Sequence, residues 1–205
     1  MQYRDFRLAD AVKQLGLQVK ESIGIFETVD PVAPSALLVE TLRFNLPLAS
    51  TLGTEKARSE LLIAPVLVEI KRFHRPDVSF FSGIELHVDA AAGLTGVCDF
   101  LLSLSPEQMY LRAPIVALVE AKSESLRDGM GQCVAEMVAA DRFNRAEGNP
   151  IDTVYGAVTT GTAWKFLRMR GTAVEIDLSE YALAQPERVL GILLSMLPVT
   201  IRPAS

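Results

Sequence analysis

Residues 115–119 read Ile-Val-Ala-Leu-Val, and Glu120, Ala121 and Lys122 follow at once. A strand turns alternate side chains to opposite faces, so five successive apolar residues leave neither face for water. Such a run belongs in a sheet with helices packed on both sides, which makes the chain an α/β protein. Pro114 can open the strand, where a missing N–H is tolerated. By alternation Val116, Leu118, Glu120 and Lys122 share one face, and Ile115, Ala117, Val119 and Ala121 the other. Two opposite charges therefore project side by side just past the buried stretch.

The rest of the pattern supplies the layers. Phe6, Leu8, Val12 and Leu15 have helical spacing over residues 5–15, stopped by Gly16. Residues 17–22 suit a short edge strand. A second helix is expected over 35–45 with Ser35 as N-cap. A third begins near Thr54, and Pro65 should kink or divide it. From residue 78 the texture turns to strands: 78–88 with a bulge or turn at Ser82-Gly83, then the loop AAAGLTG, then 97–104. A long helix over 125–146 ends at Gly148-Asn149-Pro150. A hairpin over 153–169 turns at Thr160-Gly161-Thr162, a short strand AVEIDL follows, and a last helix spans 186–198 with proline in its first turn.

With 205 residues, 49% of them hydrophobic and 22% charged, the chain can build one full core. No apolar stretch reaches 18 residues and the first ten are dotted with charge, so neither a membrane span nor a secretory leader is expected. Cys98 and Cys133 lack metal-ligand spacing and sit in apolar surroundings. They read as reduced thiols in a cytoplasmic protein. The net charge of −5 argues against binding nucleic acid by bulk charge. Local basic sets remain at 71–75 (KRFHR) and at Lys165, Arg168 and Arg170, each reading at least as well as a solvated face. No GxxxxGK[ST] phosphate loop is present.

Asp99 shares a strand face with Val97 and Leu101. If its strand neighbours 114–122 in suitable register, Asp99, Glu120 and Lys122 converge. Two carboxylates so placed repel unless a cation lies between them, and Mg²⁺ binds through one or two carboxylates plus water and phosphate oxygens. Lys122 could then hold the attacking water or stabilise charge building at phosphorus. The triplet alone is weak, since Glu69-Ile70-Lys71 repeats it on an expected helix, where it reads as a surface accident. Gln132 and Glu136, four apart on the long helix, share a face beside an apolar stripe. Glu60, on the third helix, reads equally as ligand or as exposed ion-pair partner. Trp164 could stack on a base, though a lone strand tryptophan more often fills a core.

The order Glu60, then Asp99 in G-V-C-D-F, then Glu120-Ala121-Lys122, then Gln132 resembles the PD-(D/E)xK nuclease superfamily. Together with ELLIAPVLVEI and YGAVTTGTAWKFLRM it is most similar to the N-terminal nuclease domain of type I restriction enzyme motor subunits and stand-alone relatives. The likeness covers residues 55 to about 170. It implies a restriction-endonuclease-like core, a central mixed sheet flanked by helices, placed over residues 51–205; residues 1–50 match nothing in the family and read from their own spacing as a helical extension of the same compact unit. It implies Mg²⁺ (or Mn²⁺) held by Glu60, Asp99, Glu120 and the Ala121 carbonyl, with Asp99, Glu120, Lys122 and Gln132 catalytic. Cys98 stands where the motif's proline would be, and Glu136 where this branch often has tyrosine. The expected partner is nucleic acid, DNA in the first instance, with no membrane. A homodimer would bring two sites to two strands. The competing expectations are a catalytically silent binding or assembly module on the same fold, and an unrelated α/β domain with a charged strand end.

Overall fold

The computed structural model describes residues 1–73 and 76–197. His74 and Arg75 of the basic run, and Pro198 of the last expected helix, lie outside them. After a 3-10 turn at Tyr3–Asp5, the chain forms α1 (Leu8–Gln14), β1 (Gln18–Ser22), α2 (Ala36–Leu52), α3 (Glu55–Arg58), a π-turn (Ser59–Ile63) and α4 (Ala64–Phe73). There follow β2 (Ser79–Asp89), β3 (Leu94–Ser103), β4 (Ile115–Ala121), α5 (Leu126–Ala146), β5 (Val154–Thr159), β6 (Ala163–Arg170), β7 (Ala173–Asp177), β8 (Tyr181–Ala182) and α6 (Pro186–Ser195).

One mixed sheet runs β1-β7-β6-β5-β4-β3-β2, with β8 beside the start of β6. The apolar run forms β4, buried at all seven positions and paired antiparallel to β3 and parallel to β5. One sheet face packs on α2, α4 and α6 through Leu38, Leu67 and Ile192. The other packs on α1 and α5 through Ala11, Cys133 and Met137. The expected α/β sheet with helices on both faces is therefore present.

Strict alternation fails at two places. Ile115 and Leu118, three apart, both face α5, and Val116 joins Ala117, Val119 and Ala121 on the opposite side. The register slips here, with Leu102 opposite Ala117 but Ser103 opposite Ile115. Val116 is the extra residue of a bulge. The backbone of Ile115 is held instead by Asn144 of α5, whose amide accepts from its N–H at 2.6 Å and donates to its carbonyl at 2.8 Å. On β3, Cys98 and Leu101 also face α5 together, so the face slips at Asp99. Opposite Asp99, Gly83 has φ 64° and drops out of the ladder between Ser82↔Phe100 and Ile84↔Cys98.

Helix α2 runs seven residues beyond its expected end at residue 45 and includes Pro47, and Ser35 caps its start by accepting the Leu38 N–H at 3.2 Å. The third helix is divided as Pro65 requires, but the break falls before it, as a π-turn. Pro65 cannot donate to the Leu61 carbonyl, and Asn45 Nδ2 of α2 does so instead at 2.8 Å. The second E-x-K triplet is not a surface accident. Glu69 is buried, accepts the Ser35 N–H at 2.7 Å and pairs with Arg72 at 3.1 Å, tying α2 to α4.

Residues 1–50 are not only helical. β1 enters the sheet beside β7, and α2 continues across residue 50. Tyr3 and Phe6 are buried, with the Tyr3 hydroxyl donating to the Leu86 carbonyl at 2.7 Å. The backbone at Phe6–Leu8 crosses α5 at Gly131, where a Cβ would meet the Phe6 carbonyl oxygen at 2.3 Å. Trp164 is fully buried and stacks on Phe166, so it is core and meets no base. Among the described residues, no helix is long and apolar enough to cross a membrane.

Candidate active site

The β3–β4 ladder ends at Phe100↔Val119. One residue on, Asp99 Oδ2 accepts the Ala121 N–H at 2.9 Å, so a carboxylate replaces the carbonyl that would have continued the pairing. The strands part here, and β4 stays tied to β5 through the Lys122 N–H and the Thr159 carbonyl at 2.8 Å. Asp99, Ala121, Glu120 and Lys122 are thereby gathered where β4 leaves the sheet.

Glu120 is buried and both its oxygens are engaged. Lys122 Nζ donates to Oε1 at 2.5 Å and Gln132 Nε2 to Oε2 at 2.9 Å. The same Nε2 donates to Glu136 Oε1 at 3.0 Å, and Gln132 Oε1 faces Lys122 Nζ at 3.4 Å. The helical i, i+4 spacing brings Gln132 and Glu136 together as expected. Glu136 is fully buried, and its Oε2 has no hydrogen-bond partner. Lys122 lies against Gly129, where a Cβ would stand 3.1 Å from its Cγ.

Burial pushes Glu120 up to about 10, and the charges of Glu136 and Asp99 add to this against the pull of Lys122. Burial pushes Glu136 up to about 8; Asp99 adds, while the Gln132 hydrogen bond and Lys122 oppose. Burial pulls Lys122 down, and Glu120, with smaller contributions from Glu55 and Asp99, more than offsets it, so its ammonium is held above the ordinary value. Burial also drives the thiols of Cys98 and Cys133 well up, which suits unreactive core cysteines.

Of the expected residues, Asp99, Glu120, Ala121, Lys122 and Gln132 come together. Glu60 does not. It is exposed, pairs with Lys56 at 3.0 Å, and rims a groove between α2 and α4 with Leu37 and Val68. It lies in the π-turn, on the side that faces solvent. The helix carboxylate whose charge reaches Lys122 is Glu55, in the first turn of α3 behind its Thr54 cap. Only its place beside the N-cap set Glu55 apart in the sequence. The set Lys165, Arg168 and Arg170 is occupied, by Glu180, Glu175 and the Thr153 hydroxyl.

Glu120 and Glu136 hold protons that a bound cation would displace, since three ionised carboxylates would face a single ammonium, and Glu136 Oε2 has no hydrogen-bond partner. Both facts suit a cation. Among the described residues no three His, Cys, Asp or Glu side chains form a ready metal cage. Mg²⁺ does not need one, since one or two carboxylates with water suffice. Comparison of the chain with family models, curated proteins and solved structures found no match.

Proposed function

We propose that the chain is a divalent-metal-dependent nuclease of the PD-(D/E)xK type, on a restriction-endonuclease-like fold, hydrolysing phosphodiester bonds in nucleic acid, DNA first. One observation carries the reading: Asp99 ends the β3–β4 ladder by taking the Ala121 N–H, which collects two carboxylates and a lysine at one splayed strand end. Asp99, Glu120 and the Ala121 carbonyl are the groups that would hold Mg²⁺ or Mn²⁺. The ion would supply charge neutralisation at phosphorus and a more acidic bound water. Lys122, steered by Glu120 and Gln132, would orient the attacking water or bind a phosphoryl oxygen. Gln132 fixes both partners because its amide meets Glu120 with nitrogen and Lys122 with oxygen. A homodimer and a cytoplasmic setting belong to the same proposal; free Cys98 and Cys133 suit a reducing compartment.

A second reading is favoured by the closure of the cluster. Lys122 and Gln132 occupy both oxygens of Glu120, which satisfies it with no metal. A silent nuclease-like binding module would look the same. The deciding experiment incubates linear, circular and single-stranded DNA and RNA with protein and Mg²⁺ or Mn²⁺, beside Lys122→Ala. Cleavage by the wild type alone supports the nuclease. No cleavage of any substrate leaves the binding module, and equal cleavage by the variant identifies a contaminant.

A further inference from the structure

A chain of net charge −5 that acts on a polyanion needs a local cationic surface, and among the described residues the basic sets visible in the sequence are engaged elsewhere. Lys165 and Arg168 are neutralised by glutamates, Arg72 by Glu69, Arg142 by Asp89 and Arg145 by Asp141. Arg58 and Arg188 are spent on backbone carbonyls. Among the described residues, the arginines and lysines whose side chains make no ion pair or hydrogen bond are Arg4, Arg7, Lys13, Arg43 and Arg127. Four of these five line one cleft of about 960 Å³ between the N-terminal segment and the start of α5. Two carboxylates share it, Asp5 and Asp128, and Asp5 is already taken by the Gln2 N–H at 2.8 Å.

The place of this cleft matters as much as its charge. Arg4 and Arg7 flank Tyr3 and Phe6, which are buried, so the segment bearing them is anchored. It crosses α5 at Gly131, the residue before Gln132. Arg127 lies two residues before Gly129, against which the Lys122 side chain rests. Leu8 and Arg127 also line a second cleft of about 480 Å³, which reaches Glu124 and Thr160 beyond the end of β4. Arg127 and Leu8 thus join the two clefts; the second, whose other charged residues are Glu21, Glu124 and the paired Lys165 and Glu180, carries the path past the end of β4.

The geometry points to Arg4, Arg7, Lys13 and Arg127 as the binding track for the sugar–phosphate backbone of a nucleic acid strand. Arginine suits this task, since its planar fork takes two phosphate oxygens at once. The N-terminal segment, which lies outside the nuclease-like stretch of the sequence, then acts as the substrate-holding wall of the site. The proposal rests on the nuclease reading for what is done to the strand, and on the cleft alone for its binding.

The test measures fluorescence anisotropy of a labelled 20-residue oligonucleotide, single-stranded and duplex, in EDTA so that no cleavage intervenes. The full chain is compared with Arg4→Glu/Arg7→Glu, with Arg127→Glu, and with Arg43→Glu as a control outside the cleft. Thermal unfolding checks that all are folded. The expected result is at least a tenfold loss of affinity in the two cleft variants and none in the control. The salt dependence should also fall by roughly 0.7–0.9 per phosphate contact removed. Equal binding by all variants, an equal loss in Arg43→Glu, or no binding by the wild type would overturn the track. Displacement of the oligonucleotide by poly-glutamate at equal charge would overturn nucleic acid as its occupant. Cleft-dependent binding with no cleavage under Mg²⁺ sinks the nuclease and keeps the track. Lys122-dependent cleavage that the cleft variants leave unchanged at low substrate does the reverse.

Discussion

Asp99 accepts the backbone N–H of Ala121 at 2.9 Å, and so one carboxylate both ends a strand pairing and stands at the candidate site. The two roles separate by substitution. Asp99→Asn keeps an acceptor for the N–H and should unfold within about 1 kcal/mol of wild type. Asp99→Ala leaves the amide unpaired and should cost ~1–3 kcal/mol. Both should abolish metal-dependent cleavage. Urea unfolding beside a plasmid-nicking assay reads the two effects, and an active Asp99→Ala protein would remove Asp99 from the site.

Glu120 and Glu136 are held above ordinary carboxylate values, to about 10 and about 8. Between about pH 5 and pH 8 the folded protein keeps protons that the unfolded chain has released. Metal-free stability should therefore fall as pH rises through that window. Glu136→Gln removes one of these carboxylates, so it should flatten the decline and raise the melting temperature at pH 8 by roughly 2–4 °C or more. A slope unchanged by the substitution, measured by calorimetry at pH 5.5, 7 and 8.5, would count against the burial argument.

Divalent metal should act in the opposite direction. Mg²⁺ or Mn²⁺ that binds the folded cluster raises the melting temperature in proportion to the logarithm of its concentration, and EDTA reverses the rise. The effect should vanish in Asp99→Ala and survive in Glu60→Ala, since Glu60 pairs with Lys56 away from the cluster. Metal stabilisation lost in Glu60→Ala would restore it as a ligand.

Gly131→Ala places a methyl group 2.3 Å from the Phe6 carbonyl oxygen. The N-terminal segment must lift off α5, with an expected cost of ~1–3 kcal/mol by overpacking. Limited proteolysis should then cut within residues 1–16, and an uncut, fully stable variant would contradict the crossing.

Asn45→Leu removes the side-chain donor that stands at the Leu61 carbonyl in place of the missing Pro65 N–H. A loss of about 1–3 kcal/mol is expected, read as a lower denaturation midpoint with unchanged m-value.

What the sequence disclosed follows from what alternation and helical spacing encode. The apolar run announced β4, and the i, i+4 pair placed Gln132 beside Glu136, because both signals are local. The slips at Val116 and Asp99 were hidden, since a bulge changes faces without changing composition. Glu60 read equally as ligand or as exposed ion-pair partner, because spacing alone does not show which partner a helix carboxylate meets; the structure pairs it with Lys56 in a π-turn. Glu55 and the free cations of the N-terminus were missed for another reason. Whether a charge is spent or available depends on partners distant in sequence, such as Glu175 and Glu180 for the strand cations.

Strand β1 finds its partner, β7, 155 positions further along, with Gln18 opposite Ala173. Among the described residues, no other strand pair is so far apart in the chain. During synthesis the N-terminal strand must wait until β7 has left the ribosome, while β4, α5 and β5 can already assemble. Closing a loop of that length is slow relative to local pairing. The β1–β7 edge is thus expected to be the last of the sheet's seams to zip.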